Sequence, residues 1–179
     1  MTHVLLTGGA RSGKSSLAVA LAERHGADVV FLATGQAGDD EMATRIARHR
    51  AERPLHWTTV EEPVRLVEAI GAVEPSACLI VDCLSLWVAN LLATESDRAI
   101  EHEACAAAAV ASGRPGPTIV VTNEVGLGIV PATPLGREYR DALGRVNAIW
   151  ADRASEAYLV VAGRLIPLLT ATEVLIDDH

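Results

Sequence analysis

The chain has 179 residues, half of them apolar, and a formal charge of −8. That length is most simply one domain, 1–179, with apolar side chains enough for a sizeable core. The negative charge excludes non-specific attachment to nucleic acid, whose phosphates it would repel, but not a nucleotide held in a locally positive loop.

In chain order, the first apolar run, His3–Thr7, reads as a strand that leaves no room for a signal peptide before it. It leads into Gly8-Gly9-Ala10-Arg11-Ser12-Gly13-Lys14-Ser15, a match to G-x-x-x-x-G-K-[ST], and then into a helix expected over Lys14–Arg24. Strand, loop and helix in that order are the context a phosphate-binding loop requires. Glycines let the backbone N–H groups turn inward around phosphate oxygens, and the helix aims its N-terminus at the same phosphates. Lys14 would bridge the outer phosphates, and the Ser15 hydroxyl would hold Mg2+.

A second strand, Val29–Ala33, precedes a helix expected over Asp39–Arg53. Acidic residues open that helix and basic residues close it, which suits the helix dipole. Met42, Ile46, His49 and Arg53 share one face, Arg45 and Arg48 lie on its flank, and Pro54 ends it. His49 is open to two accounts: a core histidine with its nitrogens satisfied, or a nucleophile toward phosphorus among arginines that neutralise a triphosphate. No second histidine or cysteine stands at metal-ligand spacing on this helix.

Further helices are expected over Pro63–Gly71, Ser85–Thr94, Ala99–Ser112 and Leu135–Ser155, and strands over Cys78–Asp82, Thr118–Thr122, Ala157–Ala162 and Leu165–Leu169. The polar tail of 170–179 is expected to be loose. Asp82 ends an apolar strand, where a carboxylate holds magnesium behind a phosphate loop or else caps a turn. Asn123 and Glu124 follow another strand end, where they orient a hydroxyl or a metal-bound water, or form a turn. Cys78, Cys83 and Cys105 have no metal-type spacing and read as buried thiols of a reducing compartment. No apolar stretch reaches membrane-spanning length, so the expectation is a soluble cytoplasmic protein.

Alternating strands and helices, with nearly continuous apolar strands, imply a layered α/β fold; with the phosphate loop, the expectation is a three-layer, mostly parallel sheet of the P-loop NTPase class, RecA-like. Ligands in such sheets bind beyond the carboxyl ends of the strands, where Gly8, Thr34, Asp82 and Asn123 would gather.

Four blocks resemble the bifunctional adenosylcobinamide kinase / adenosylcobinamide-phosphate guanylyltransferase family of cobalamin biosynthesis. They are Thr7 to Ser15; Ala33-Thr34-Gly35 through Asp40-Glu41-Met42 to Arg53-Pro54 and His56-Trp57; Asp82 to Trp87 with Asn90-Leu91-Leu92; and Val121 to Gly126 with Gly128 to Pro131. Gly144 to Asn147 fits as well. The resemblance implies that a nucleoside triphosphate, ATP or GTP, phosphorylates adenosylcobinamide. GTP then gives its guanylyl group to a histidine, His49 by motif position, with release of pyrophosphate. Adenosylcobinamide phosphate takes that group to form adenosylcobinamide-GDP. The resemblance also implies nucleotide contacts from Gly8, Gly9, Ala10, Arg11, Ser12, Gly13, Lys14 and Ser15, from Ala33, Thr34 and Gly35, from Arg50, Ala51, Glu52 and Arg53, and from Glu61 and Asp82. Lys14 and His49 would be catalytic, and Ser15 and Asp82 would hold Mg2+. It further implies a homo-oligomer, a ring-like trimer, with the apolar Ser85–Leu92 segment available for a contact. Two departures stand out. Some members carry adjacent histidines where this chain has Arg48 then His49, and some end the second magnesium strand with Glu rather than Asp82. The competing accounts are a phosphate-loop kinase of another small molecule, with His49 structural, and a non-enzymatic nucleotide switch. Against the switch, no Asn-Lys-x-Asp guanine-reading motif is evident.

Overall fold

The computed structural model describes residues 3–26, 28–51, 53–170, 172 and 174. Seven strands form one sheet: β1 (His3–Thr7), β2 (Val29–Ala33), β3 (Thr58–Glu61), β4 (Cys78–Asp82), β5 (Thr118–Val121), β6 (Glu156–Val161) and β7 (Arg164–Pro167). Their order is β3-β2-β4-β5-β1-β6-β7, parallel throughout except for β7, which pairs antiparallel with β6. Six helices accompany them: α1 (Lys14–His25), α2 (Asp40–Ala51), α3 (Leu66–Gly71), α4 (Leu84–Leu91), α5 (Asp97–Ser112) and α6 (Pro134–Arg153).

The central strands are buried on both faces, which is why they read as unbroken apolar runs. Side chains alternate between the two faces. Leu5, Leu79, Val81 and Val120 pack with Trp87, Ala104, Ala107, Leu143 and Trp150 of α4, α5 and α6. Leu6, Phe31, Ile80 and Ile119 pack with Ala18 and Ala22 of α1 on the other side. Small alanines on α5 and α1 let these helices lie close to their neighbours.

Three expectations are corrected. The strand β3 was not foreseen; it is a four-residue edge strand whose residues are half-buried or exposed, so it carries no apolar run. The apolar side of the Ser85–Leu92 segment does not face outward: Leu84, Trp87, Val88 and Leu91 are buried in the chain's own core. Cys78 and Cys83 are buried thiols, whereas Cys105 is exposed, because it falls on the outer side of α5 opposite Ala104, Ala107 and Ala108. Among the described residues no helix is long and apolar enough to cross a membrane.

Candidate active site

The loop after β1 takes its shape from backbone positions that only glycine fills easily. Gly8 has φ +144°, and a Cβ there would come within 2.3 Å of the Val160 carbonyl oxygen. Gly13 has φ +100° and faces Gly163, the second residue of the tight Ala162-Gly163 turn between β6 and β7. The Gly163 N–H donates to the Ser12 carbonyl at 2.8 Å, which ties that hairpin to the loop. Lys14 is buried, and its ammonium donates to the carbonyls of Gly8 (2.8 Å) and Gly9 (2.7 Å) and to Ser12 Oγ (3.3 Å).

Across the sheet, register aligns Ala33 with Asp82 and Asp82 with Val121, so three strand ends open on one place. Beneath it, the buried Thr34 hydroxyl donates to the Cys83 carbonyl (2.7 Å) and accepts from the Cys83 N–H (2.9 Å). The Asn90 side chain donates to the carbonyls of Thr34 (2.9 Å) and Pro63 (3.0 Å), fixing the 33–35 turn. Asp82 lies at the floor of the site. Burial raises its carboxyl above the usual value; hydrogen bonding from Ser15 and the charges of His49, Arg53 and Lys14 act in the opposite direction. Burial, followed by the Asp82 charge, pushes the Cys83 thiol up to about 11, so it is a neutral thiol at ordinary pH.

Helix α2 forms the opposite wall. The Asp39 carboxylate caps it by accepting from the Met42 N–H at 2.7 Å. Met42, Ile46 and His49 face the site from the helix, and Arg53 faces it from just beyond the helix end. The Arg53 guanidinium stacks 3.6 Å over the Phe31 ring, and burial lowers its pKa most, with Asp82 opposing. Arg50 bonds Glu61 at 2.7 Å through exposed side chains.

These parts enclose one cavity of about 690 Å3. Of the predicted residues, Ala10, Arg11, Ser12, Gly13, Lys14, Ser15, Ala33, Gly35, His49, Arg50, Arg53, Glu61 and Asp82 line it. Gly8 and Gly9 shape the loop without lining the cavity, Thr34 is buried beneath it, and Ala51 is exposed outside it. Glu52 and the Arg45 side chain lie outside what is described. The lining also includes Ser16, Thr44, Cys83, Leu86 and Val121, to which the sequence assigned no site role; Cys83 and Val121 could have been found as neighbours of Asp82 in sequence and in sheet register. A second groove of about 570 Å3, between α3 and α5, contains none of the predicted residues.

The family model described as cobinamide kinase / cobinamide phosphate guanyltransferase (CobU) matches residues 4–168. The chain belongs to this family. It is 46% identical over 165 residues to the bifunctional adenosylcobalamin biosynthesis protein CobP of Pseudomonas aeruginosa, covering 92% of this chain and 95% of that protein. It is 42% identical over 174 residues to CobU of Escherichia coli K12, covering 89% and 96%. The chain is therefore an enzyme with the family's two activities, kinase and guanylyltransferase, and the non-enzymatic switch falls away. Among solved structures, an ATPase from the type III secretion system of pathogenic bacteria aligns with a TM-score of 0.52 at 14% identity, over 98% of this chain and 54% of that one. That likeness concerns the fold alone.

Proposed function

We propose that this CobU-family chain carries out both reactions in the single cavity between the phosphate loop and α2, with His49 as the covalent carrier. The observation that carries this is that His49, Lys14, Ser15 and Asp82, which belong to three separate segments, line one cavity. In the first reaction the cavity binds ATP or GTP, and adenosylcobinamide takes the terminal phosphoryl group. In the second, a neutral His49 imidazole nitrogen attacks the α-phosphorus of GTP. A P–N bond forms, the bond to the bridging oxygen breaks, and pyrophosphate leaves with the electron pair. The phosphate oxygen of adenosylcobinamide phosphate then attacks the same phosphorus and frees the imidazole. Each displacement inverts phosphorus, so the net outcome is retention.

The chain's own groups would stabilise charge on the leaving pyrophosphate: the Lys14 ammonium, the loop N–H groups and the guanidinium of Arg53. Its carbonyl partners in the loop would hand Lys14 to the phosphates. Ser15 and Asp82 fit Mg2+, a hard cation that takes few protein oxygens and fills its remaining positions from phosphates and water. The Ser15 side chain hydrogen-bonds the Asp82 carboxyl and both line the cavity, so their oxygens stand together there. Bound there, the ion would neutralise phosphate charge.

The finer fold assignment, a RecA-like P-loop NTPase, is supported by the strand order, in which one strand, β5, separates the loop-bearing β1 from the Asp82-bearing β4. The use of ATP and GTP as substrates supports a cytoplasmic location. For assembly we favour the trimer suggested by the family, built through the exposed apolar side chains of Leu127, Ile129 and Val130 rather than through α4. Incubation with GTP labelled at the α-phosphate tests the carrier: acid-labile label on the protein, absent in His49→Ala, supports it. A wild-type protein that never takes up label, yet phosphorylates adenosylcobinamide, would leave only the kinase with a structural histidine.

A further inference from the structure

The segment after β5 contains a side chain that neither the phosphate loop nor His49 accounts for. Backbone bonds continue past the strand end: Thr122 N–H donates to the Leu6 carbonyl (2.9 Å) and Glu124 N–H to the Gly8 carbonyl (3.1 Å). Alternation then sends the side chains of Thr122 and Asn123 to opposite faces. Thr122 turns inward, and its hydroxyl bonds Asn147 Oδ1 at 2.7 Å. Asn123 turns into the cavity. Its own carbonyl is pinned from behind by the Asn147 side chain at 2.9 Å, and its Nδ2 donates to Ser85 Oγ at 2.9 Å. Ser85 is buried at the start of α4, with the Cys83 thiol 2.9 Å from its hydroxyl and the Tyr139 hydroxyl donating to its carbonyl at 3.2 Å. Asn123 is thus held by Asn147 at its backbone carbonyl and by Ser85 at its Nδ2, and among the described residues its Oδ1 has no protein hydrogen-bond partner.

Two features bear on where it would stand relative to a nucleotide held by the loop. The Gly8 carbonyl accepts from both Glu124 N–H and the Lys14 ammonium, so Asn123 stands beside the group that meets the outer phosphates. What it offers there is an oxygen acceptor. Such an atom repels a phosphate oxygen and attracts an O–H.

We propose that Asn123 is a catalytic residue of the kinase step alone, accepting a hydrogen bond from the attacking hydroxyl of the corrinoid substrate, and that Ser85 is the positioning residue acting through it. In that step the hydroxyl oxygen bonds to the terminal phosphorus and the bond to the β,γ-bridging oxygen breaks. Its electron pair leaves with the nucleoside diphosphate, and the hydroxyl proton passes to solvent. An amide cannot take that proton, so Asn123 contributes orientation. The inference rests on the kinase activity of the family and on the nucleotide orientation proposed above.

The test measures both half-reactions on one preparation: phosphorylation of adenosylcobinamide, and guanylyl label retained from GTP without any corrinoid. Asn123→Ala is expected to lower the kinase kcat about 10²-fold, with nucleotide KM and labelling unchanged. Ser85→Ala is expected to lower the kinase kcat by a smaller factor, Ser85→Thr to restore it, and the double variant to be no worse than Asn123→Ala alone. Equal loss in both half-reactions, or a fall in labelling with the kinase intact, would overturn the assignment. Should Asn123→Ala not fold, the Ser85 pair decides: no kinase loss in Ser85→Ala, or no recovery in Ser85→Thr, overturns it as well. A wild-type protein that phosphorylates but takes no label would sink the histidine carrier, and the kinase comparison would still judge Asn123.

Discussion

At the residue scale the site is built from polar groups whose burial works against them until ligand arrives. Asp82 is the clearest case. Burial raises its carboxyl above the usual value, more than Ser15, His49, Arg53 and Lys14 lower it. A raised folded-state pKa means that the protonated form favours folding. That contribution is complete below the unfolded value of about 3.8 and is lost as pH rises through the folded one. Asp82→Asn is therefore expected to raise the melting temperature of the ligand-free protein at pH 7, with the gain shrinking as pH falls toward 4. The same variant should lose both activities by about 10²-fold or more, since a charged group serving the phosphates is gone. Equal melting temperatures across that pH range would contradict the assigned cost.

At the element scale, what was readable from sequence follows from where each signal lies. β1, β2 and β4 appear at their predicted bounds because buried parallel strands must be apolar throughout. The phosphate loop was legible because its chemistry is contiguous, and the face of α2 was legible because helical spacing is fixed. β3 was not, since Thr58–Glu61 is a short edge with polar neighbours. The gathering of Thr34 and Asn123 at the strand ends was legible too, but not the hydrogen-bond network that joins them through Cys83, Ser85 and Asn147, whose members meet only when three strand ends and two helices come together. Arg114 belongs to the same illegible class. It sits in the turn before β5, is 6% exposed, and donates to the carbonyls of Ile70, Val73, Glu74 and Ala77 at 2.9–3.4 Å. It therefore locks the turn between α3 and β4. Arg114→Ala leaves those carbonyls without their donor and should cost about 3 kcal/mol of stability by denaturant unfolding, with the KM values of the surviving enzyme little changed. A loss under about 0.5 kcal/mol, the level of a neutral surface substitution, would refute that role.

At the scale of the whole molecule, the described surface exposes scattered apolar side chains such as Leu55 and Val64, and gathers others in two stretches: Leu127, Ile129, Val130 and Leu135 after β5, with Ile129 at 98%, and Leu165, Ile166, Leu168 and Leu169 at and beyond β7. Exposed apolar groups gathered in this way cost free energy unless another surface covers them. Light scattering is expected to give about three times the chain mass of 18.9 kDa, and Ile129→Asp to shift it toward the single chain. A wild-type protein that stays at one chain mass at micromolar concentration would remove the assembly.

Guanylyl transfer through this protein requires the cavity to bring an imidazole to a loop-bound triphosphate. Mass measurement of peptides after incubation with GTP and Mg2+ tests that directly. The expected result is one guanylyl group on the peptide containing His49, absent when Lys14 is replaced by Ala and discharged by adenosylcobinamide phosphate. A guanylyl group on any other residue, or none on a protein that still makes adenosylcobinamide-GDP, would contradict it.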